Sequence, residues 1–128
     1  MAKIVVDAYT WIEYFNGSEE GLKAKKIIED ENNEIFISSA SFAEVISKFL
    51  RTNKDINIAI TGLNSLAKTI EISQEISILA GEIHFNEKKK NENFGMLDSF
   101  VIATAKKINA KILTGDDDFK NFKETIFI

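Results

Sequence analysis

Acidic side chains supply the chemistry-bearing residues of this 128-residue sequence, and they recur at element ends. Asp7 closes the apolar run 3–7 (KIVVD). Glu44 lies in SFAEV, Asp98 in MLDSF, and Asp116, Asp117 and Asp118 follow KILTG. Each has an ordinary structural role open to it. Asp7 fits a helix N-cap, and Ser41-x-x-Glu44 matches a capping box. Asp98 fits the positive end of a helix dipole, and the aspartate run fits a turn. Three adjacent like charges, however, repel and raise one another's pKa unless something positive sits among them. Carboxylates converging out of water either neutralise or hold a cation. An oxygen donor set without cysteine, and with one histidine far from the acids in sequence, favours Mg²⁺ or Mn²⁺ over Zn²⁺.

The elements that must position these acids alternate along the chain. Strand-like runs at 3–7, 34–39, 68–73 and 111–114, and a terminal apolar run at 125–128, are separated by helical patterns. The expected helices cover 8–15, a second stretch to about 30 after Asn16-Gly17-Ser18, 40–51, 57–67, 74–89 and 97–108. The polar stretch KKKNENFG (88–95) is expected to be a mobile loop. This order predicts an α/β fold, a three-layer α/β/α sandwich around a mainly parallel sheet of four or five strands. In such a sheet the C-terminal strand ends share one edge, where ligands bind. Asp7 and Asp116 fall at that edge, and Glu44 follows the second strand by a turn of helix.

Helical angles sharpen the distinction between packing and chemistry. At 100° per residue Glu44 points about 190° from the centre of the stripe formed by Phe42, Val45, Ile46, Phe49 and Leu50. Packing therefore does not explain it. Asp98 lies at the border of a stripe made by Leu97, Val101, Ala105 and Ile108, close enough to the core to lose part of its hydration. Trp11, Tyr14 and Phe15 share one helix face and read as packing. His84 reads as a surface helix residue.

Bulk composition narrows the class. The length fits one domain, residues 1–128. Hydrophobic residues make up 45% and charged residues 28%, values of an ordinary globular protein. Without cysteine, disulfides, thiolate metal sites and a thiol nucleophile are excluded. No signal-peptide pattern and no run of roughly 18 apolar residues is visible, so the expected setting is cytoplasmic with no membrane contact. A net charge of −4 is the wrong sign for holding nucleic acid by electrostatics alone. A polyanion would need bound cations or the local lysine clusters at 23–26, 88–90 and 106–111.

The order of motifs IVVDAYTWIEYF, SSASFAEV and MLDSFVIATAKKINAKILTGDDDF resembles the PIN domain, in particular the small toxins of the VapC type. The resemblance spans essentially the whole chain. It implies a compact α/β/α nuclease, a metal-dependent endoribonuclease that cuts tRNA, rRNA or mRNA as the toxin of a type II toxin–antitoxin pair. Carried over by position, Asp7, Glu44, Asp98 and Asp116 correspond to the acidic quartet, with Asp118 a supporting acid and Thr114 a hydroxyl that orients a carboxylate or binds a metal-linked water. Asp7, Asp98 and Asp116 would hold Mg²⁺ or Mn²⁺, and Glu44 would act through water or at a second ion. The implied partners are RNA, a small cognate antitoxin and a second copy in a homodimer. One departure is Tyr9, where such proteins often carry a small hydroxyl residue; Thr10 is displaced by one position. Two other readings compete: a non-catalytic PIN-like scaffold that binds RNA or protein, and a Mg²⁺-binding phosphoacceptor receiver domain, for which no strand-end lysine is well placed.

Overall fold

A computed structural model describes residues 2–128. Among these residues five parallel strands form one sheet in the order β3-β2-β1-β4-β5: β1 Ala2–Val6, β2 Asn33–Ser38, β3 Lys68–Ile70, β4 Lys111–Thr114 and β5 Thr125–Phe127. Among the described residues six helices surround it: α1 Ala8–Asn16, α2 Glu19–Ile28, α3 Ser39–Arg51, α4 Ile56–Leu66, α5 Gln74–Lys88 and α6 Met96–Ile108. The α/β/α class read from the sequence is the observed one, and the terminal apolar run supplies the fifth strand.

Strand alternation divides the core into two layers. Ile4, Val6, Ile35, Ile37 and Leu113 face one way, against Trp11 of α1, Ala24 and Ile28 of α2, Val45 and Phe49 of α3, and Leu63 of α4. Val5, Phe36 and Ile112 face the other, against Val101, Ile102 and Ala105 of α6. Both faces of the central strands are thus apolar, as a sheet buried on two sides requires. Trp11 is fully buried, packs edge-on to Tyr14 and stacks with Phe15, so this aromatic trio is packing.

Chain direction creates the crevice. β1 leads outward to β2 on one side, while β4 lies on its other side, so the sheet order reverses between β1 and β4. The loops after these two strands diverge there and leave an opening at the C-terminal edge. Asp7 directly follows β1, and Asp116 follows β4 by two residues.

Several local expectations are corrected. The capping box does not form: Ser38 is the N-cap of α3, accepting from the Ala40 N–H, while Ser41 is buried inside the helix. Only Lys68–Ile70 of the 68–73 run pairs as a strand; Ile72 instead packs beside Ile76 and Ala80 of α5. Leu97 and Leu50 do not pack in their stripes but are exposed. Within the 88–95 stretch, Lys88 still belongs to α5, and Phe94 is buried against α6 and packs obliquely on Phe122.

Candidate active site

Asp7 begins the site as a capping residue. Its Oδ1 accepts the Thr10 N–H at 2.9 Å, which is the N-cap bond of α1. Its Oδ2 accepts the hydroxyl of Thr114 at 2.5 Å, joining the end of β1 to the end of β4. Thr114 Oγ1 in turn accepts the Asp116 N–H at 2.9 Å, and Asp116 Oδ1 accepts the Asp118 N–H at 2.9 Å. Asp116 thereby caps the short 3-10 turn Asp117–Phe119, whose Phe119 is buried and fixes the turn. The structural role and the chemical position of these acids coincide.

α6 brings in the next carboxylate. Gly95 precedes the helix without a side-chain cap, and Asp98 lies in the first turn. Carboxylate oxygens of Asp98, Asp116 and Asp118 lie within 4.8 Å of one another. Asn91 Nδ2 donates to Asp118 Oδ1 at 3.3 Å and holds that side chain from the other side. Asn91 escaped the sequence reading. It lies 27 positions from Asp118 in a stretch of ordinary surface composition, with no periodicity to mark it. Asp117, between two of these acids in sequence, is exposed and is not one of the converging three.

Charges in this cluster act on one another. Burial is the main cause that raises the Asp98 pKa to about 7, followed by the charges of Asp116, Asp118, Asp7 and Glu44. Burial likewise raises the carboxyl of Asp7, with Asp116 adding to it and hydrogen bonds from Thr10 and Thr114 opposing. Glu44 is raised by burial and then by Asp7. Glu44 therefore shares the electrostatic field of the cluster from its place on α3, although it is not among the three acids in closest contact. Among the described residues, neither ion pair involves these acids: Lys90 meets Glu87 and Lys107 meets Glu75. Asp98, Asp116 and Asp118, with no paired cation among the described residues, form a donor set that suits a hard divalent ion, and Asp7 and Glu44 lie outside that closest group.

Tyr9 departs from the small hydroxyl pattern and has a structural partner of its own. Its hydroxyl donates to Glu20 Oε1 at 2.7 Å, which raises its pKa to about 12. His84 lies on α5 and is partly exposed, as a surface helix residue should be.

The family model of the PIN domain matches residues 4–124. The chain belongs to the PIN domain family. No curated protein sequence matches it. Among solved structures it is similar to a toxin–antitoxin complex from Klebsiella pneumoniae, at 20% identity and TM-score 0.76, covering 96% of this chain and 95% of that one. It is also similar to VapBC2 of Rickettsia felis bound to a promoter DNA fragment, at 19% identity and TM-score 0.76, covering 98% and 97%. A third is VapC20 of Mycobacterium tuberculosis, a toxin that cleaves the sarcin–ricin loop, at 15% identity and TM-score 0.75, covering 98% and 96%. At these identities the likeness is one of fold, in which this chain's Asp7 and Asp116 follow the neighbouring strands β1 and β4. Membership in this family removes the receiver-domain alternative.

Proposed function

We propose that this PIN protein is a Mg²⁺- or Mn²⁺-dependent endoribonuclease and the toxin of a type II toxin–antitoxin pair. The observation that carries the reading is the convergence of Asp98, Asp116 and Asp118, with Asp7 and Glu44 in the same field and no cation paired to any of them among the described residues. Solved relatives of the same fold are described as toxin–antitoxin complexes, and one as an RNA-cleaving toxin, which supports the same class.

Asp7, Asp98 and Asp116 would hold the metal, with Glu44 acting through water or at a second ion and Asp118 supporting the site. The bound metal would lower the pKa of a coordinated water and stabilise charge on the phosphodiester. The chain's own residues do the positioning. Thr114 fixes Asp7 by its hydroxyl and Asp116 by its backbone N–H, so one side chain sets two carboxylates at once. Glu44, on α3, would orient the attacking water or accept a proton from it. The partners implied are RNA, a small antitoxin and a second copy of the chain, working in the cytoplasm as one domain. Among the described residues no helix is long and apolar enough to cross a membrane.

The test is cleavage of RNA by the purified protein with Mg²⁺, Mn²⁺ or EDTA, beside Asp7→Asn and Asp98→Asn. The wild type should cut only with metal, and both folded variants should lose at least about a hundredfold in rate. Wild-type rates in either variant would remove that residue from the site. RNA binding without cleavage under any metal would favour the scaffold reading.

A further inference from the structure

A groove that includes Glu44 runs along the polar face of α3. It has a volume of about 590 Å³, and its walls include Tyr9, Glu13, Glu44, Lys48, Arg51 and Leu97. Glu44, Lys48 and Arg51 stand at i, i+4 and i+7, so they share one helix face. The rise from Glu44 to Arg51 is about 10 Å. Glu44, whose carboxyl is raised by burial and by Asp7, shares the groove with Glu13, and Lys48 and Arg51 line it further along α3. Arg51 Nε donates to Ser47 Oγ at 3.4 Å, which helps hold the guanidinium along the groove.

These two cations differ from three lysines of the clusters elsewhere. Lys90 and Lys107 are engaged with Glu87 and Glu75, and Lys89 lies over the Phe85 ring at 4.2 Å. Neither Lys48 nor Arg51 forms an ion pair among the described residues, and Glu13 faces the same groove without pairing with either. The groove carries apolar surface as well: Tyr9 is 40% exposed and Leu97 43%. The Tyr9 ring is held in place by its bond to Glu20. Two unpaired cations beside an exposed aromatic ring suit a single strand, with phosphates on the cations and a base on the ring.

We propose that this groove seats the single-stranded RNA on one side of the cleaved bond. Lys48 and Arg51 hold backbone phosphates, and Tyr9 carries a base next to the acidic centre. The inference rests on the nuclease reading above and adds the direction in which substrate leaves the site.

The test uses a fluorescein-labelled single-stranded RNA and saturating Mn²⁺. The double variant Lys48→Gln/Arg51→Gln should raise KM about tenfold with kcat within about twofold, since phosphate-binding groups position without reacting. The slope of log kcat/KM against log salt should fall by about 0.7 for each phosphate no longer neutralised. The charge-keeping double variant Lys48→Arg/Arg51→Lys should recover the slope. Tyr9→Ala should raise KM more than Tyr9→Phe, which keeps the ring. An unchanged KM and salt slope in the Gln variant, with a wild type that cuts RNA, would overturn the proposal. If the wild type cuts no RNA, the nuclease reading fails first, and fluorescence anisotropy without metal then reads the groove alone. Weaker RNA binding by the Gln variant would support the proposal. Equal RNA binding, with loss only of polyglutamate binding, would overturn it in favour of an acidic protein segment.

Discussion

The hydroxyl of Thr114 donates to Asp7 Oδ2 at 2.5 Å across 107 positions of the chain, tying the ends of two neighbouring parallel strands together beneath the acidic cluster. The same oxygen accepts the Asp116 N–H, so Thr114 sets the spacing between two carboxylates from different elements. Thr114→Val keeps the shape and removes both bonds. It should destabilise the protein by about 1–3 kcal/mol, because Asp7 and the Asp116 N–H are left short of partners where water is scarce. It should also weaken Mn²⁺ binding by about tenfold, through removal of the group that orients a ligand. Thr114→Ser, which keeps the hydroxyl, should recover most of both. Urea unfolding and a metal titration read the two effects separately. A Val variant with wild-type metal affinity would show that Asp7 needs no such support.

Repulsion in the cluster predicts an unusual pH dependence for the metal-free protein. Burial and neighbouring charge raise Asp98 to about 7 from its ordinary 3.8. Between those values the folded state holds a proton that the unfolded state has released. The stability this group contributes is therefore present below the ordinary carboxylate range and is lost as pH rises through about 7. Asp7 and Glu44, also raised, act in the same direction. Asp98 is partly exposed, so screening leaves an effect of about 1–2 kcal/mol. In EDTA the urea midpoint should fall between about pH 5 and pH 8, and Asp98→Asn should flatten that fall while losing the metal response. Mn²⁺ should restore stability at the alkaline end more than at the acid end, since binding must displace the proton. A wild-type midpoint independent of pH in EDTA would mean the acids are better solvated than their burial indicates.

The acids at strand ends were legible from sequence because the rule that places them is topological. In a parallel sheet every strand's C-terminal end reaches one edge, whatever the strand order. β-branched runs and helix periodicity were enough to find those ends. What sequence could not decide was set by single-residue register and by long-range contact. Ser38 rather than Ser41 caps α3, because Ser38 ends β2 opposite Ile70 of β3 and the helix starts where that pairing stops. Leu97 fits an apolar stripe on a helical wheel, but the first turn of α6 reaches past the packed layer and lines the groove. Asn91 meets Asp118 only through the folding of two loops.

Asn91 has a testable consequence of its own. Its amide holds Asp118 at 3.3 Å, while its own Oδ1 accepts the Asn93 N–H at 3.0 Å and shapes the loop before α6. Asn91→Ala should cost about 1 kcal/mol in stability for the hydrogen bonds removed. Mn²⁺ affinity or cleavage rate should fall by about tenfold, as for a residue that orients a ligand from behind. Isothermal titration with Mn²⁺ checks the first readout without relying on activity. Unchanged affinity would leave Asp118 outside the metal site and return Asn91 to a purely structural role.

Two helical glycines should respond to the same substitution with opposite signs. Gly21 of α2 faces the backbone of α1: an added Cβ would fall inside van der Waals contact of the Glu13 carbonyl oxygen and 2.5 Å from its carbon. Backbone cannot swing aside as a side chain can, so Gly21→Ala should destabilise by about 3 kcal/mol through overpacking. The strain would reach the site, because neighbouring Glu20 holds the Tyr9 ring beside the groove. Gly81, exposed in the middle of α5, has nothing within 4 Å of a Cβ. There alanine only restores helix propensity, and Gly81→Ala should stabilise by about 0.5–1 kcal/mol. Thermal melts of the two variants give the contrast directly. Equal and small shifts would mean that α1 and α2 can separate without cost, and the close approach that seats Glu20 against Tyr9 would lose its basis.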